Sequence, residues 1–290
     1  MLSSIVAGGP LIGSGKDNSS TRSRAILVMT RPTRSSLMRR IVAHALKAVT
    51  TCAAIASCFC AFYLALSSPP LHLFYDSAPH AGPASVYLPG GGFSGFWFHL
   101  GYLHSVDNIH DFDYYCFSAG CLSILSAFMN KSLDDVSEAA FAAQHAWTSG
   151  NRSRFELVDF FFDELVPGEL DEDAEMIERV LPRIKVLVTT VSGGLKVVEA
   201  TNRQELKDGI LKTTWVPYLT GWGFSVDEED VYLDGGFSRL LHPECETSLH
   251  LPLIWETLVH TFSPGLTREQ VQRLWQAGRN FNYALPVSSR

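Results

Sequence analysis

The 290-residue chain has six cysteines but no Cys-x-x-Cys pair, so neither a sequence-local metal site nor a disulfide framework is supported. Cys52, Cys58 and Cys60 fall in one apolar stretch, and packing accounts for Cys116 and Cys121. Positive charge is scarce beyond residue 83. There 15 Lys and Arg face 28 Asp and Glu, whereas residues 1–83 hold eight against two. A surface that acidic repels phosphate backbones, so no nucleic-acid partner is expected, and neutral or zwitterionic surfaces suit it better than anionic ones. Glycines are plentiful, but no Gly-Lys-Ser/Thr ending follows any glycine run, which removes the P-loop.

Acidic residues are also scarce in residues 1–47, which are rich in Ser, Thr and Arg and read as a disordered or targeting segment. Ala48 to Ser67 carries no charge over 20 residues. That length crosses about 30 Å of hydrocarbon as a helix. Its many small residues leave a buried helix as the alternative. Arg39, Arg40 and Lys47 precede it, so the expected topology is a single-pass anchor with its N-terminal side cytosolic. The domain that follows would be lumenal or extracellular. A cleaved signal peptide fits less well, because the basic region is long, and an organelle transit peptide stays open. Residues 68–83 read as a linker, and residues 84–290 as one large α/β domain with ample apolar content for a core.

Three stretches of that domain carry chemistry. In Tyr114-Tyr115-Cys116-Phe117-Ser118-Ala119-Gly120 an apolar run ends at a serine, and a small-residue helical pattern begins at once. The order strand, tight turn, helix exposes a serine oxygen beside the backbone amides that open the helix. Acyl transfer needs both. Pro89-Gly90-Gly91-Gly92-Phe93-Ser94-Gly95 follows the strand pattern Ala84 to Leu88, and its glycines let backbone N–H groups turn toward an anion. The spacing also fits Gly-x-Gly-x-x-Gly, but a serine elbow stands where a dinucleotide site would place its ribose-binding acid. Val231-Tyr232-Leu233-Asp234-Gly235-Gly236 is a short strand ending in a carboxylate on a glycine turn.

In that order the three stretches resemble the patatin-like phospholipase (acyl hydrolase) family, over about Ala84 to the C-terminus. The resemblance implies a three-layer α/β/α domain with a nucleophile elbow that cleaves lipid acyl esters through a Ser–Asp dyad. Ser118 would be the nucleophile and Asp234 the base. Gly90, Gly91, Gly92 and the amide of Ala119 would form the oxyanion hole, with no metal or organic cofactor. Thr214-Trp215-Val216-Pro217 resembles the family's segment before the dyad aspartate. Three positions depart from the pattern. Cys116 replaces the elbow's first glycine, and its Cβ is expected to crowd the helix. Ser94 stands where many members carry Arg or Lys. The segment Phe237 to Pro243 lacks the usual asparagine.

The rest of the domain reads more blandly. Ser132 caps a helix over Leu133 to Trp147, and Phe160-Phe161-Phe162 marks a core helix or a lipid-facing patch. Arg183–Val191 and Leu195–Ala200 form a hairpin, and Gln204–Thr213 a helix. The tail from Leu251 to Ala277 is amphipathic, broken at Ser263-Pro264-Gly265 and capped by Thr267. It carries no catalytic signal. His99 and His104 read as structural or solvated, and His145 as a surface residue. Asn130-Lys131-Ser132 and Asn151-Arg152-Ser153 are glycosylation acceptors if the domain is lumenal. The rival readings are a Ser–His–acid triad using His242, His250 or His260, a non-catalytic lipid-binding protein that keeps a patatin-like fold, and a nucleotide-binding module.

Overall fold

The computed structural model describes residues 84–166, 177–192, 194–217, 219–227, 230–237, 245–252 and 254–282. The segment, anchor and linker expected within residues 1–83 lie outside that set. Among the described residues no helix is long and apolar enough to cross a membrane.

The domain is α/β, built on a seven-stranded mixed sheet. Strand β1 (Ser85–Leu88) is central. It pairs in parallel with β2 (Asp113–Cys116) on one edge and β7 (Thr247–Ser248) on the other. Strand β2 pairs in parallel with β3 (Ile184–Thr190). Helix α1 (Gly92–Leu103) links β1 to β2, and α2 (Ala119–Phe128), α3 (Leu133–Thr148) and α4 (Leu157–Leu165) link β2 to β3. Both crossovers step in the same direction along the sheet, and right-handed crossovers that do so carry their helices to one face.

The core follows that logic. Successive strand residues point to opposite faces. Val86, Leu88, Tyr114, Cys116, Ile184, Val186 and Val188 join one large cluster with Leu100, Ile124, Leu125 and Phe162 from the helices. The opposite face presents Tyr87, Phe117 and Leu187, packed by Tyr115, Leu195 and Cys245. No helical residue among those described joins this second cluster, so the helical layer seen lies on one side of the sheet. Within α4, Phe161 and Phe162 are buried and Phe160 is half-buried under the Arg152 guanidinium, which makes it a core helix.

The expected hairpin is present: β3 pairs antiparallel with β4 (Gly194–Glu199). Helix α5 (Arg203–Thr213) follows, with the Asn202 side chain accepting from the Glu205 amide at 2.9 Å. Strand β5 (Ser225–Val226) then pairs with β6 (Val231–Leu233). The placement of β6 matters most. Strand β2 covers the first half of β3, from Ile184 to Val186, and β6 takes Thr189 and Thr190 in the opposite direction. The C-terminal ends of β2 and β6 therefore converge over the middle of β3. One is followed by Ser118 and the other by Asp234. The tail adds α6 (Trp255–His260) and α7 (Arg268–Arg279), the latter capped by Thr267 as expected, with the Gln270 side chain completing the capping box.

Candidate active site

Ser118 stands between β2 and α2 at φ 51 and ψ −134. It and Asn130 are the described non-glycine residues with positive φ. Such a backbone costs roughly 1–3 kcal/mol and persists only where the surroundings impose it. Here they do. The Phe117 amide still bonds Leu88 O at 3.3 Å, as in the ladder, while the Cys121 amide already bonds Ser118 O at 3.1 Å, as in a helix. Between them the Ser118 amide donates to Thr213 Oγ1 at 3.1 Å, and that hydroxyl donates to Leu187 O. Thr213 is thus a support that sequence reasoning missed, since nothing in a helix-ending Thr-Thr pair signals it. Gly120 lets α2 start against β1: a Cβ there would fall 2.4 Å from Pro89 O.

Packing alone was expected to account for Cys116 and Cys121, and here that expectation is corrected. Cys116 and Cys121 form a disulfide, with their Cα atoms 5.0 Å apart. The elbow reverses the chain, so two residues five apart come within bridging distance. Linear spacing gives no sign of this, because the strained serine between them creates the approach. The bond ties the last residue of β2 to the first turn of α2, across the serine.

Asp234 is buried, 3 % exposed; its carboxylate accepts a hydrogen bond from the Gly236 amide at 2.8 Å, and the Ser118 hydroxyl lies near enough to lower its proton affinity. Its backbone is held on both sides: its N–H donates to Trp215 O at 2.8 Å, and its carbonyl accepts from Thr189 Oγ1 at 2.8 Å. The Thr-Trp-Val-Pro segment thus positions the aspartate through a main-chain bond. Burial pushes the Asp234 carboxyl up to about 6, against the pull of Ser118 and Gly236. A carboxylate of that affinity, beside a serine hydroxyl, can take its proton.

Gly91 (φ 127) and Gly92 (φ 60) hold the loop conformation that glycine favours. Gly92 opens α1 and Ala119 opens α2, so two helix N-termini meet at Ser118 with amides that have no intrahelical acceptor. The next amide, Phe93, is diverted to Thr261 O at 2.9 Å. Gly90 closes in from the strand: a Cβ on it would lie 2.8 Å from Ser118 Cβ. Ser94 is fully buried, and its hydroxyl donates to Thr257 O of α6 at 2.6 Å, which explains a small polar residue where a long cation has no room. All four expected oxyanion residues are therefore gathered about the elbow.

The site opens on a cavity of about 1110 Å³, counting its mouth. Ser118, Asp234, Gly91 and Gly92 line one part of it, and Phe96, Trp97, Leu122, Phe141, Phe161 and Phe262 much of the rest. Thr261, Phe262 and Pro264 come from the tail that carried no signal in the sequence; they wall a cavity, a role only the fold reveals. His250 and His260 do not line it. His260 meets Gln270 at 3.4 Å, and His250 sits near enough to His99 to act on its charge. His242 lies outside the described residues. His104 accepts from Trp275 Nε1 at 3.1 Å and His145 is exposed, both as expected. Among the described residues, no group of three His, Cys, Asp or Glu side chains could hold a metal ion. Comparison with known proteins finds no matching family model, curated protein or solved structure.

Proposed function

We propose that this chain is a patatin-like serine acyl hydrolase, cleaving carboxylic esters of membrane lipids or acylglycerols through the dyad Ser118–Asp234. One observation carries the reading: a serine in a strained strand-to-helix turn stands beside a buried, proton-avid aspartate at an apolar cavity. A serine hydroxyl alone is a weak nucleophile, and the adjacent base activates it.

The steps follow from the positions. Ser118 Oγ attacks the ester carbonyl while its proton passes to Asp234. The carbonyl oxygen becomes an oxyanion and is met by the amides of Gly91, Gly92 and Ala119. The tetrahedral adduct collapses, and the departing alcohol takes the proton from Asp234. Water then attacks the acyl-serine, giving its proton to Asp234 and restoring the Ser118 hydroxyl as the fatty acid leaves. The apolar lining favours a long acyl chain over a polar acid, because each buried methylene is worth about 0.8 kcal/mol. The disulfide fits a lumenal or extracellular domain, where thiols are oxidised, and Asn130 and Asn151 are exposed for glycosylation there. A membrane anchor at residues 48–67 remains part of the proposal.

The test is hydrolysis of p-nitrophenyl esters of rising acyl length. Turnover should grow from acetate toward long chains and fall by about 10³-fold or more in Ser118→Ala. Undiminished hydrolysis by that variant would contradict the reading.

A further inference from the structure

His99 is fully buried on α1, and its Nε2 lies 3.1 Å from the carbonyl oxygen of Gly90. A carbonyl only accepts, so Nε2 carries the proton and donates. Nδ1 is then a bare lone pair, buried with no hydrogen-bond partner. Burial lowers the ring's pKa to about 4, the Gly90 bond resisting and nearby His250 adding to the fall. The ring is accordingly neutral wherever Asp234 is ionised, and its single proton stays on the Gly90 side.

The same peptide group carries the Gly91 N–H. In a planar trans peptide the C=O and the following N–H point in opposite directions. Gly90 faces Ser118 closely, yet its carbonyl is tucked toward α1, where a Cβ on Gly95 would lie 2.9 Å from that oxygen. The Gly91 N–H is thereby turned to the other side of the loop. With glycine on both sides of this peptide, intrinsic torsional preference does little to keep it so. An external tie is required, and His99 is where one is found.

We propose that His99 is a positioning residue of the oxyanion hole: by donating Nε2–H to Gly90 O, it holds the Gly90–Gly91 peptide with the Gly91 N–H directed at the oxyanion forming on Ser118. The inference rests on the acyl-hydrolase reading. It assigns a function to a histidine that the sequence presents only as a structural or solvated residue. His99 touches neither substrate nor nucleophile and acts through the peptide it holds.

The test compares wild type with His99→Leu, His99→Gln and His99→Asn, each checked for a cooperative thermal transition. Leu keeps the bulk and removes the donor. Gln places an amide nitrogen near the position of Nε2, whereas the shorter Asn does not. For a long-chain p-nitrophenyl ester, kcat should fall about 10- to 100-fold in the Leu and Asn variants, with KM within about twofold. Affinity for an alkyl trifluoromethyl ketone, which forms a charged tetrahedral adduct with the serine, should fall in parallel. Gln should restore both to within about fivefold of wild type. A folded Leu variant with unchanged kcat and ketone affinity overturns the assignment, as does a folded Gln variant no better than Leu. A wild type that cleaves no ester removes the acyl-hydrolase reading itself, and this inference with it.

Discussion

Asp234 is asked to be buried and to ionise, and the two demands conflict. Its pKa in the folded chain, about 6, stands above the ordinary 3.8 because burial penalises the charge. Below about pH 4 the carboxyl is protonated in both folded and unfolded chains, and nothing is lost. Between about pH 4 and pH 6 the unfolded chain ionises first, so stability falls as pH rises; above about pH 6 the loss is complete, and it amounts to roughly 3 kcal/mol. Asp234→Asn should therefore unfold at higher urea concentration than wild type at pH 7.5, by about 1–3 kcal/mol, and lose that advantage near pH 4. Urea titrations at the two pH values check this, and equal stability at pH 7.5 would mean that the carboxylate is not strained by burial. In the wild type kcat/KM should climb through about pH 6 from the acid side, since only the ionised carboxylate takes the serine proton.

Residues of this kind were partly legible before the fold was known. Ser118 and Asp234 end apolar runs at small-residue turns, a local pattern that survives in the sequence. Thr213 and His99 act through side-chain hydrogen bonds to main-chain atoms, and such bonds leave no spacing to read.

The unit that holds Ser118 is β2, the elbow and α2 together. The Cys116–Cys121 bond closes it from one side and the Thr213 hydroxyl from the other. Closing so short a loop removes little unfolded-state entropy, about 2 kcal/mol in the chain-entropy account. Replacing both cysteines with alanine should cost about that much stability while leaving a folded protein. Both sulfurs are fully buried, so the native protein should resist dithiothreitol until it is heated or partly unfolded. Free-thiol titration before and after denaturation reads this directly. Alkylation of both Cys116 and Cys121 in the denatured but unreduced chain, mapped by peptide mass spectrometry, would refute the bridge.

Helix and hairpin positions followed from periodicity and caps: Ser132 and Thr267 open helices where expected, and β3 and β4 pair as a hairpin. What periodicity could not supply was pairing between distant strands. That β6 abuts the end of β2 along β3 is a long-range choice, and it is what brings Asp234 to Ser118.

At the scale of the whole molecule, three glycine turns distant in the chain are drawn to one end of a sheet, beside a cavity built from the helical layer and the C-terminal tail. The order of those turns was readable, and the cavity was not. It draws on α1, α2, α3, α4 and the tail together, and each of these looks alone like an ordinary amphipathic segment. The central claim is that this assembly makes Ser118 an activated nucleophile. Labelling of the folded full-length chain with an alkyl fluorophosphonate, mapped by peptide mass spectrometry, tests it without presuming a lipid. The account predicts a single adduct on Ser118, absent in Ser118→Ala and slowed at least about 100-fold in Asp234→Asn. A folded wild-type chain left unlabelled at Ser118, or labelled equally fast without Asp234, would contradict it.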